Sequence, residues 1–249
     1  NINSQVILED TRTHLFSPDG KYDFTFYQKL FPDETKQMYY TLAYNGKTVI
    51  EESALGILIG NQILESDLGI PNDPTKRWTE NLTLIEQEAK IVDQTWSPIF
   101  GEHNIIKDKY NQLTLKFQKG RTAQTTTSED IYDKRSYYYM NLIIRAYNEG
   151  IAFRYHFPEA TNGLFLHITG EQTQFTLPEG TMAYYERWAQ GSYSLMPLKD
   201  WSDECERPLT MKLQNGLTVA LLEAEMVDYS RMKFRLRDNK RNTLQASLY

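Results

Sequence analysis

Apolar and polar residues alternate with a period of two along most of this chain. "KYDFTFYQKLF" sets Tyr22, Phe24 and Phe26 against Asp23 and Thr25, the pattern of a strand with one wet face. "QMYYTLAYNGKTVIEE" follows, with Asn45-Gly46 between two apolar runs. Asn-Gly is the strongest short-range hairpin signal, because a type I′ turn needs positive φ at both central residues. The device recurs at Asn148-Glu149-Gly150, between strands predicted over 137–147 and 151–157, and at Asn215-Gly216 in "PLTMKLQNGLTVALLEAE". "SRMKFRLR" and "TLQASLY" read as the last strands. "TENLTLIEQEAKIV" is ambiguous, since one or two helical turns fit it about as well as an extended segment. The polar run at 118–136 reads as a long exposed hairpin tip.

Roughly fourteen to seventeen strands are implied, too many for one flat sheet. The expected fold is therefore all-β, with two large, mainly antiparallel sheets packed face to face. No exact repeat and no linker rich in Pro, Gly or Ser interrupts the pattern, so residues 1–249 read as one domain.

Aromatic residues strengthen this reading. The chain has 17 Tyr and 11 Phe, many inside the alternating runs, and such residues favour pleated, half-buried surfaces. The formal net charge of −6 offers no basic footprint, so nucleic acid is not an expected partner. No apolar run reaches the roughly 18 to 20 residues that span a bilayer, so membrane insertion is not expected either. The single cysteine, Cys205, leaves no intrachain disulfide and no multi-Cys zinc cluster. The numbering opens on Asn1 rather than Met, and "NINSQV" has no charged or apolar leader. Any export signal is expected to have been removed already.

The chemistry-bearing residues are few. His14, His103, His156 and His167 do not fall at metal-ligand spacing, and the last two sit in strand-like runs where a structural role is expected. No phosphate loop, nucleophile elbow or zinc-protease helix occurs. "GIPNDPTKR" has turn chemistry rather than that of an EF-hand.

Two stretches stand out. "QTWSPIFGEHNIIKDKYNQLTLKF", residues 94–117, places a bulky polar connection before a strand predicted over 112–118. Trp96 and Pro98 are stiff, Gly101 permits a turn, Glu102 follows it, and Asn111 comes just before the strand. A packed loop without function is the plain alternative. Residues 169–209 gather Glu171, Glu186, Glu204 and Glu206 with Tyr184, Tyr185, Trp188, Tyr193 and Trp201. Aromatic faces beside carboxylates suit sugar rings, although a share of such aromatics belongs in any core.

These residues carry a resemblance. "TWSPIFGEHNIIKDKYNQLTLKF" resembles the Trp-x-Pro-x-x-Gly-Glu…Tyr-Asn-x-Leu segment of glycoside hydrolase family 97. "LFSPDGKYDFTF", "LAYNGKTVIEESALGILI" and "LIIRAYNEGIAFRYHFPE" are similar to its opening strand, its next hairpin and its core hairpin. "HITGEQTQFTL" and "GLTVALLEAEMVDYSRMKF" resemble its Glu-x-Thr-x-Phe strand and its Glu-Ala-x-x-x-Asp-Tyr segment. The landmarks keep their order from about residue 15 to residue 249.

The resemblance implies a galactose-mutarotase-like β super-sandwich, the N-terminal domain of an α-glucosidase or α-galactosidase. The family joins that sandwich to a catalytic (β/α)₈ barrel and a C-terminal β domain, both expected to be absent from this chain. With the family's catalytic carboxylates on the barrel, no catalytic residue is expected here, and the segment alone is expected to be inactive. Its expected partners are the barrel of the same polypeptide and a carbohydrate ending in α-linked glucose or galactose. Trp96, Glu102, Asn111, Glu171 and Tyr193 are the candidate substrate-binding or domain-interface residues. The family also implies Ca²⁺ in the full-length enzyme, with none bound tightly by this segment alone. The family's sandwich glutamate aligns near Ser194, a departure from the pattern, so Glu186 is the candidate metal ligand in its place, with Glu171 the alternative. Family members are typically exported, which implies a periplasmic or outer-membrane-associated protein of a Gram-negative bacterium.

Two other readings remain. One is a stand-alone carbohydrate-binding sandwich using Tyr184, Tyr185, Trp188 and Trp201. The other is a free-standing sugar-modifying enzyme of the mutarotase kind, which needs a His and Glu pair in one cleft.

Overall fold

Every pairing between described strands is antiparallel. The computed structural model of the chain describes residues 7–8, 12–59, 77–120, 137–158 and 168–248. The all-β expectation stands: no α-helix occurs among the described residues, and no helix there is long and apolar enough to cross a membrane.

The largest sheet takes strands from both ends of the chain. β1 (Ile7–Leu8), β2 (Thr13–Phe16), β3 (Tyr22–Leu30), β4 (Lys36–Tyr44) and β5 (Lys47–Leu55) come first. β13 (Gln174–Thr176), β18 (Met232–Arg237) and β19 (Lys240–Leu248) complete it. The order is β1-β3-β4-β5-β13-β19-β18, with β2 also on β3. Facing it is a four-stranded sheet in the order β11-β10-β9-β8. Its strands are β8 (Thr83–Trp96), β9 (Ile106–Gly120), β10 (Tyr137–Tyr147) and β11 (Ile151–His156).

Aromatic contacts join the two layers. The Phe26 and Phe117 rings lie 5.8 Å apart, and Phe153 packs against Phe24 and Tyr40 of the opposite sheet. Leu115, Phe117, Met140, Leu142 and Ile144 are fully buried. Each such side chain is worth about 1.5–3 kcal/mol of hydrophobic burial.

The two expected sheets are accompanied by two smaller ladders. A three-stranded one has the order β12-β6-β7, from β6 (Ile57–Ile59), β7 (Arg77–Trp78) and β12 (Ile168–Glu171). A second four-stranded one has the order β15-β14-β16-β17, from β14 (Met182–Tyr185), β15 (Ser194–Pro197), β16 (Leu209–Lys212) and β17 (Thr218–Leu221). Gly56 explains one division. The chain leaves the large sheet after Leu55 and enters the small ladder at Ile57, and a Cβ at Gly56 would collide with Thr79. Only glycine permits so close an approach.

The turns follow their chemistry unequally. Asn45 and Gly46 take φ of 48° and 72°, as a type I′ hairpin requires. At Asn215-Gly216 only Gly216 has positive φ, at 87°. Its amide donates to the Leu213 carbonyl while the Leu213 amide donates to Leu217, the longer loop built on a type I turn and a left-handed glycine. The ambiguous segment "TENLTLIEQEAKIV" is extended and forms most of β8. Residues 121–136, most of the expected polar hairpin tip, lie outside the described residues, but β9 and β10 pair up to Gly120 and Tyr137 on either side. Thr25, expected on the wet face of β3, is buried beneath His14 and Asp23, both of which reach its hydroxyl.

Candidate functional site

Residues 94–117 are not a loop between strands but the outer part of a long hairpin. β8 runs on to Trp96 and β9 begins at Ile106, with Trp96 opposite Ile106 and 97–105 as the tip. Among the described residues β8 pairs only with β9, and its side chains are exposed on both faces except at Val92 and, in part, Leu84. The arm carries Ile91, Trp96, Ile99, Phe100 and Ile105, all exposed, Ile99 almost completely at 99%. Glu102 lies in the exposed tip. Asn111 is a pin instead, its amide donating to the Phe16 carbonyl at 2.8 Å. Ile106, the partner of Trp96, and Asn111 are an odd number of residues apart on one strand, so Asn111 and Trp96 leave opposite faces. The three candidates on this arm do not form one surface.

Glu171 and Glu186 belong to a polar belt built elsewhere, from β12, β14 and the segments around β18. Glu171 closes β12, where its carboxylate accepts the Tyr229 hydroxyl at 2.6 Å on one oxygen and the Thr173 hydroxyl at 2.7 Å on the other. The Tyr155 hydroxyl lies 2.9 Å from Thr173 and accepts the Gly56 amide at 2.9 Å. With Thr173 donating to Glu171, the protons run one way from Gly56 through Tyr155 and Thr173 to the carboxylate. Burial pushes the Glu171 carboxyl above its ordinary value, while the Tyr229 and Thr173 hydroxyls pull it down and nearby Glu223 pushes it up. Burial, with the charge of Glu171, also raises Tyr155 and Tyr229.

Glu223 carries the belt onward. It accepts the Met232 amide at 2.9 Å and is clamped by Arg207, closing the base of the 223–232 loop. Arg207 also lies 3.9 Å from Glu206, whose other carboxylate oxygen sits 3.1 Å from Arg231 and 3.2 Å from Lys233. Glu206 and Lys233 are buried to 5% side-chain exposure. One anion thus lies among three cations, the compensation a buried charge requires.

The Glu206 amide donates to the Glu186 carbonyl at 2.8 Å, which leads to the last candidates. Glu186 is buried, and its carboxylate beside exposed Tyr193 pushes the Tyr193 phenol up. Trp188 stands exposed beside them, with the Arg187 guanidinium 4.5 Å from its ring centre and Lys233 at 6.0 Å. Glu171, Glu186 and Tyr193 therefore share one belt, while Trp96, Glu102 and Asn111 lie on the arm.

The proposed sugar-binding aromatics separate in space. Trp201 is core, Tyr185 packs on it at 5.0 Å, and Tyr184 lies under the Lys212 ammonium at 5.3 Å. Of that set, Trp188 alone is largely exposed, at 57%. The histidines do not converge: His14 pairs with Asp23 at 2.9 Å, His156 approaches the Asn141 amide, His103 lies in the arm tip and His167 falls outside the described residues.

The belt's chemistry is that of a positioning network. The carboxylates of Glu171, Glu206 and Glu223 are each engaged by hydroxyls, amides or cations. Cys205 is buried, and burial pushes its thiol up to about 11, so it is no nucleophile at neutral pH. No group of three or more metal-ligating side chains is poised around a common point among the described residues. Glu186 supplies the right donor type for Ca²⁺, a hard carboxylate oxygen, but one side chain falls short of the usual six to eight oxygens. A Ca²⁺ at Glu186 would need further oxygen ligands beyond this one carboxylate.

Sequence reasoning missed Tyr155, Thr173, Arg207, Glu223, Tyr229, Arg231 and Lys233. Glu223, Tyr229, Arg231 and Lys233 lie inside a stretch already singled out, "GLTVALLEAEMVDYSRMKF". Its three acids followed by two bases give no sign that Lys233 points inward.

The family described as Glycosyl-hydrolase 97 N-terminal matches residues 15–249. Among solved structures, a Glycoside Hydrolase Family 97 enzyme from Pseudoalteromonas sp. strain K8 in complex with acarbose aligns at a TM-score of 0.71 and 22% identity. The alignment covers 95% of this chain and 32% of that one. A substituted family 97 enzyme from the same strain, in complex with panose, gives 0.71 and 23% over the same shares. A structure of a beta-arabinopyranosidase gives 0.69 and 18%, covering 94% of this chain and 35% of that one. The chain spans about a third of the length of the structures it matches.

Proposed function

The chain belongs to the glycosyl-hydrolase 97 N-terminal family, and on that premise we propose that it is the non-catalytic N-terminal domain of a calcium-dependent exo-α-glycosidase. It packs on a catalytic (β/α)₈ barrel of the same polypeptide and lines the rim of the sugar pocket. The substrate ends in α-linked glucose or galactose. The observation that carries this reading is the apolar arm. Trp96, Ile99, Phe100 and Ile105 stand in water on one hairpin, and an exposed apolar patch of this kind marks an interaction site. The engaged carboxylates of the belt support the same reading, since they hold loops in place rather than act on a substrate. Ca²⁺ is held chiefly by the catalytic portion, with Glu186 as this chain's contribution. The protein is exported, to the periplasm or the outer membrane of a Gram-negative bacterium.

The test is to assay the full polypeptide and the 249-residue chain side by side on p-nitrophenyl α-glucoside and α-galactoside, with and without chelator. A β-arabinopyranoside belongs in the panel because one structural relative carries that name. Chelator-sensitive release of one α-linked sugar by the full polypeptide alone is expected. Release by the short chain, or indifference to chelator, contradicts the proposal. A stand-alone carbohydrate-binding sandwich is the second reading, favoured by the exposure of Trp188 and Tyr193 at 57% and 58%. It gains if no longer polypeptide with turnover exists.

A further inference from the structure

The Asn45-Gly46 and Asn215-Gly216 turns belong to different sheets, yet they meet. The Asn215 side-chain amide donates to the Thr48 carbonyl at 2.8 Å, just beyond the first turn, and the Lys47 ammonium donates to the Asn215 carbonyl at 3.1 Å. The contact restrains the two asparagines very differently. In Asn215 the amide nitrogen is held by Thr48 while the amide oxygen accepts the Leu217 amide at 3.2 Å. The Asn45 side chain is exposed and makes no hydrogen bond among the described residues. Beside it, the position a Cβ would take on Gly46 meets nothing within 4 Å.

We propose that Asn45 is a site of spontaneous covalent modification, deamidation through a succinimide, and that the neighbouring turn protects Asn215 from the same reaction. Solvent base removes the Gly46 amide proton, and that nitrogen attacks the side-chain carbonyl carbon of Asn45. The bond from that carbon to the side-chain nitrogen breaks, and ammonia leaves with a proton from water. Water then opens the five-membered ring at either carbonyl, giving aspartate or isoaspartate. Gly46 favours the attack because it has no side chain to block the approach and the loosest backbone. At Asn215 the same attack must first break both side-chain hydrogen bonds, and the released ammonia nitrogen is the atom that holds Thr48. Conversion at Asn45 adds one negative charge to a chain of formal net charge −6, beside Lys47 at the junction of the two turns. An isoaspartate also lengthens the main chain by one carbon, which a two-residue turn does not accommodate.

The folded chain is incubated in mildly alkaline buffer and sampled by peptide mapping with mass and isoaspartate detection. The same chain in denaturant serves as the control, where both sites react alike. In the folded protein Asn45 is expected to convert at least about tenfold faster than Asn215, where two side-chain hydrogen bonds and that of the attacking Gly216 amide to Leu213 must break first. Asn162-Gly163, outside the described residues, is followed as a separate peptide. Equal rates at Asn45 and Asn215, or an intact Asn45 once the denatured control has reacted, overturn the proposal.

Discussion

The Tyr229 hydroxyl donates to a Glu171 carboxylate oxygen at 2.6 Å, tying the loop after β17 to the end of β12 across 58 positions of sequence. The second oxygen of the same carboxylate ends a hydrogen-bond chain that starts at the Gly56 amide. A single acid thus fixes three segments that the sequence keeps far apart.

Removing the Tyr229 hydroxyl tests this tie. Tyr229→Phe deletes a hydrogen bond to a charged, largely desolvated acceptor and is expected to cost about 1.5–3 kcal/mol in urea unfolding. The Tyr229→Phe and Glu171→Gln double variant is expected to cost less than the sum of the singles by about 1 kcal/mol. Additive effects, or a single variant as stable as the parent, would show that the contact does no structural work.

The pH dependence of Glu171 runs opposite to that of a salt-bridged carboxylate. Burial raises its pKa in the fold, so the native state holds the proton more tightly than the unfolded chain. Its contribution is complete below the ordinary glutamate value and is lost as pH rises through the raised one. Melting temperatures of the parent and Glu171→Gln, compared from about pH 4 to pH 7, isolate this contribution. The parent's advantage over the variant is expected to shrink as pH rises. Asp19, held down at about 2 by the Ser17 hydroxyl and Lys21, behaves conversely, losing its contribution as pH falls toward that value. It is present in both proteins and cancels. An advantage that grows with pH refutes the assignment.

Glu206 is the shared anion of Arg207, Arg231 and Lys233. Glu206→Gln strips three cations of one partner and is expected to cost roughly 3–5 kcal/mol. Lys233→Met removes one of three cations from a buried site and replaces it with a chain of similar length. Its cost is expected to be smaller, about 1–2 kcal/mol. Urea titration gives both values, and the reverse ranking contradicts the shared-anion arrangement.

Trp96 tests the proposed docking apart from folding. It is 52% exposed at the end of β8, so Trp96→Ala is expected to leave the stability of the 249-residue chain within about 0.5 kcal/mol. In the full polypeptide the same substitution is expected to raise KM or lower the melting temperature. Unchanged kinetics and melting there remove the arm from the domain contact.

Much of this was legible in the residues. Alternation gave the all-β class, and Asn45-Gly46 gave a tight hairpin of the predicted type. Asn215-Gly216 carries the same two letters but closes a longer loop, because the contact with Thr48 and the left-handed Gly216 set its geometry together. The extended state of "TENLTLIEQEAKIV" was hidden because the strand is wet on both faces and so lacks the alternation that marks burial. The site was half visible. Glu171, Glu186 and Tyr193 stood out by residue type and do share one belt. Lys233 could not be read, since a lysine turns inward only where a distant segment supplies its anion, here Glu206. The separation of the arm from the belt was equally hidden, because it depends on which residues face each other across sheets.

β8 has a further consequence for anyone handling this chain by itself. Its outer edge, fourteen residues long and unpaired among the described residues, presents main-chain donors and acceptors, an open invitation to another extended segment. What discourages the match is a fringe of ionised groups, Glu86, Glu88, Lys90 and Asp93, that any incoming strand would have to dehydrate. Shelf life in concentrated solution is therefore governed by salt: screening of the fringe turns an open strand edge into a seed for precipitation.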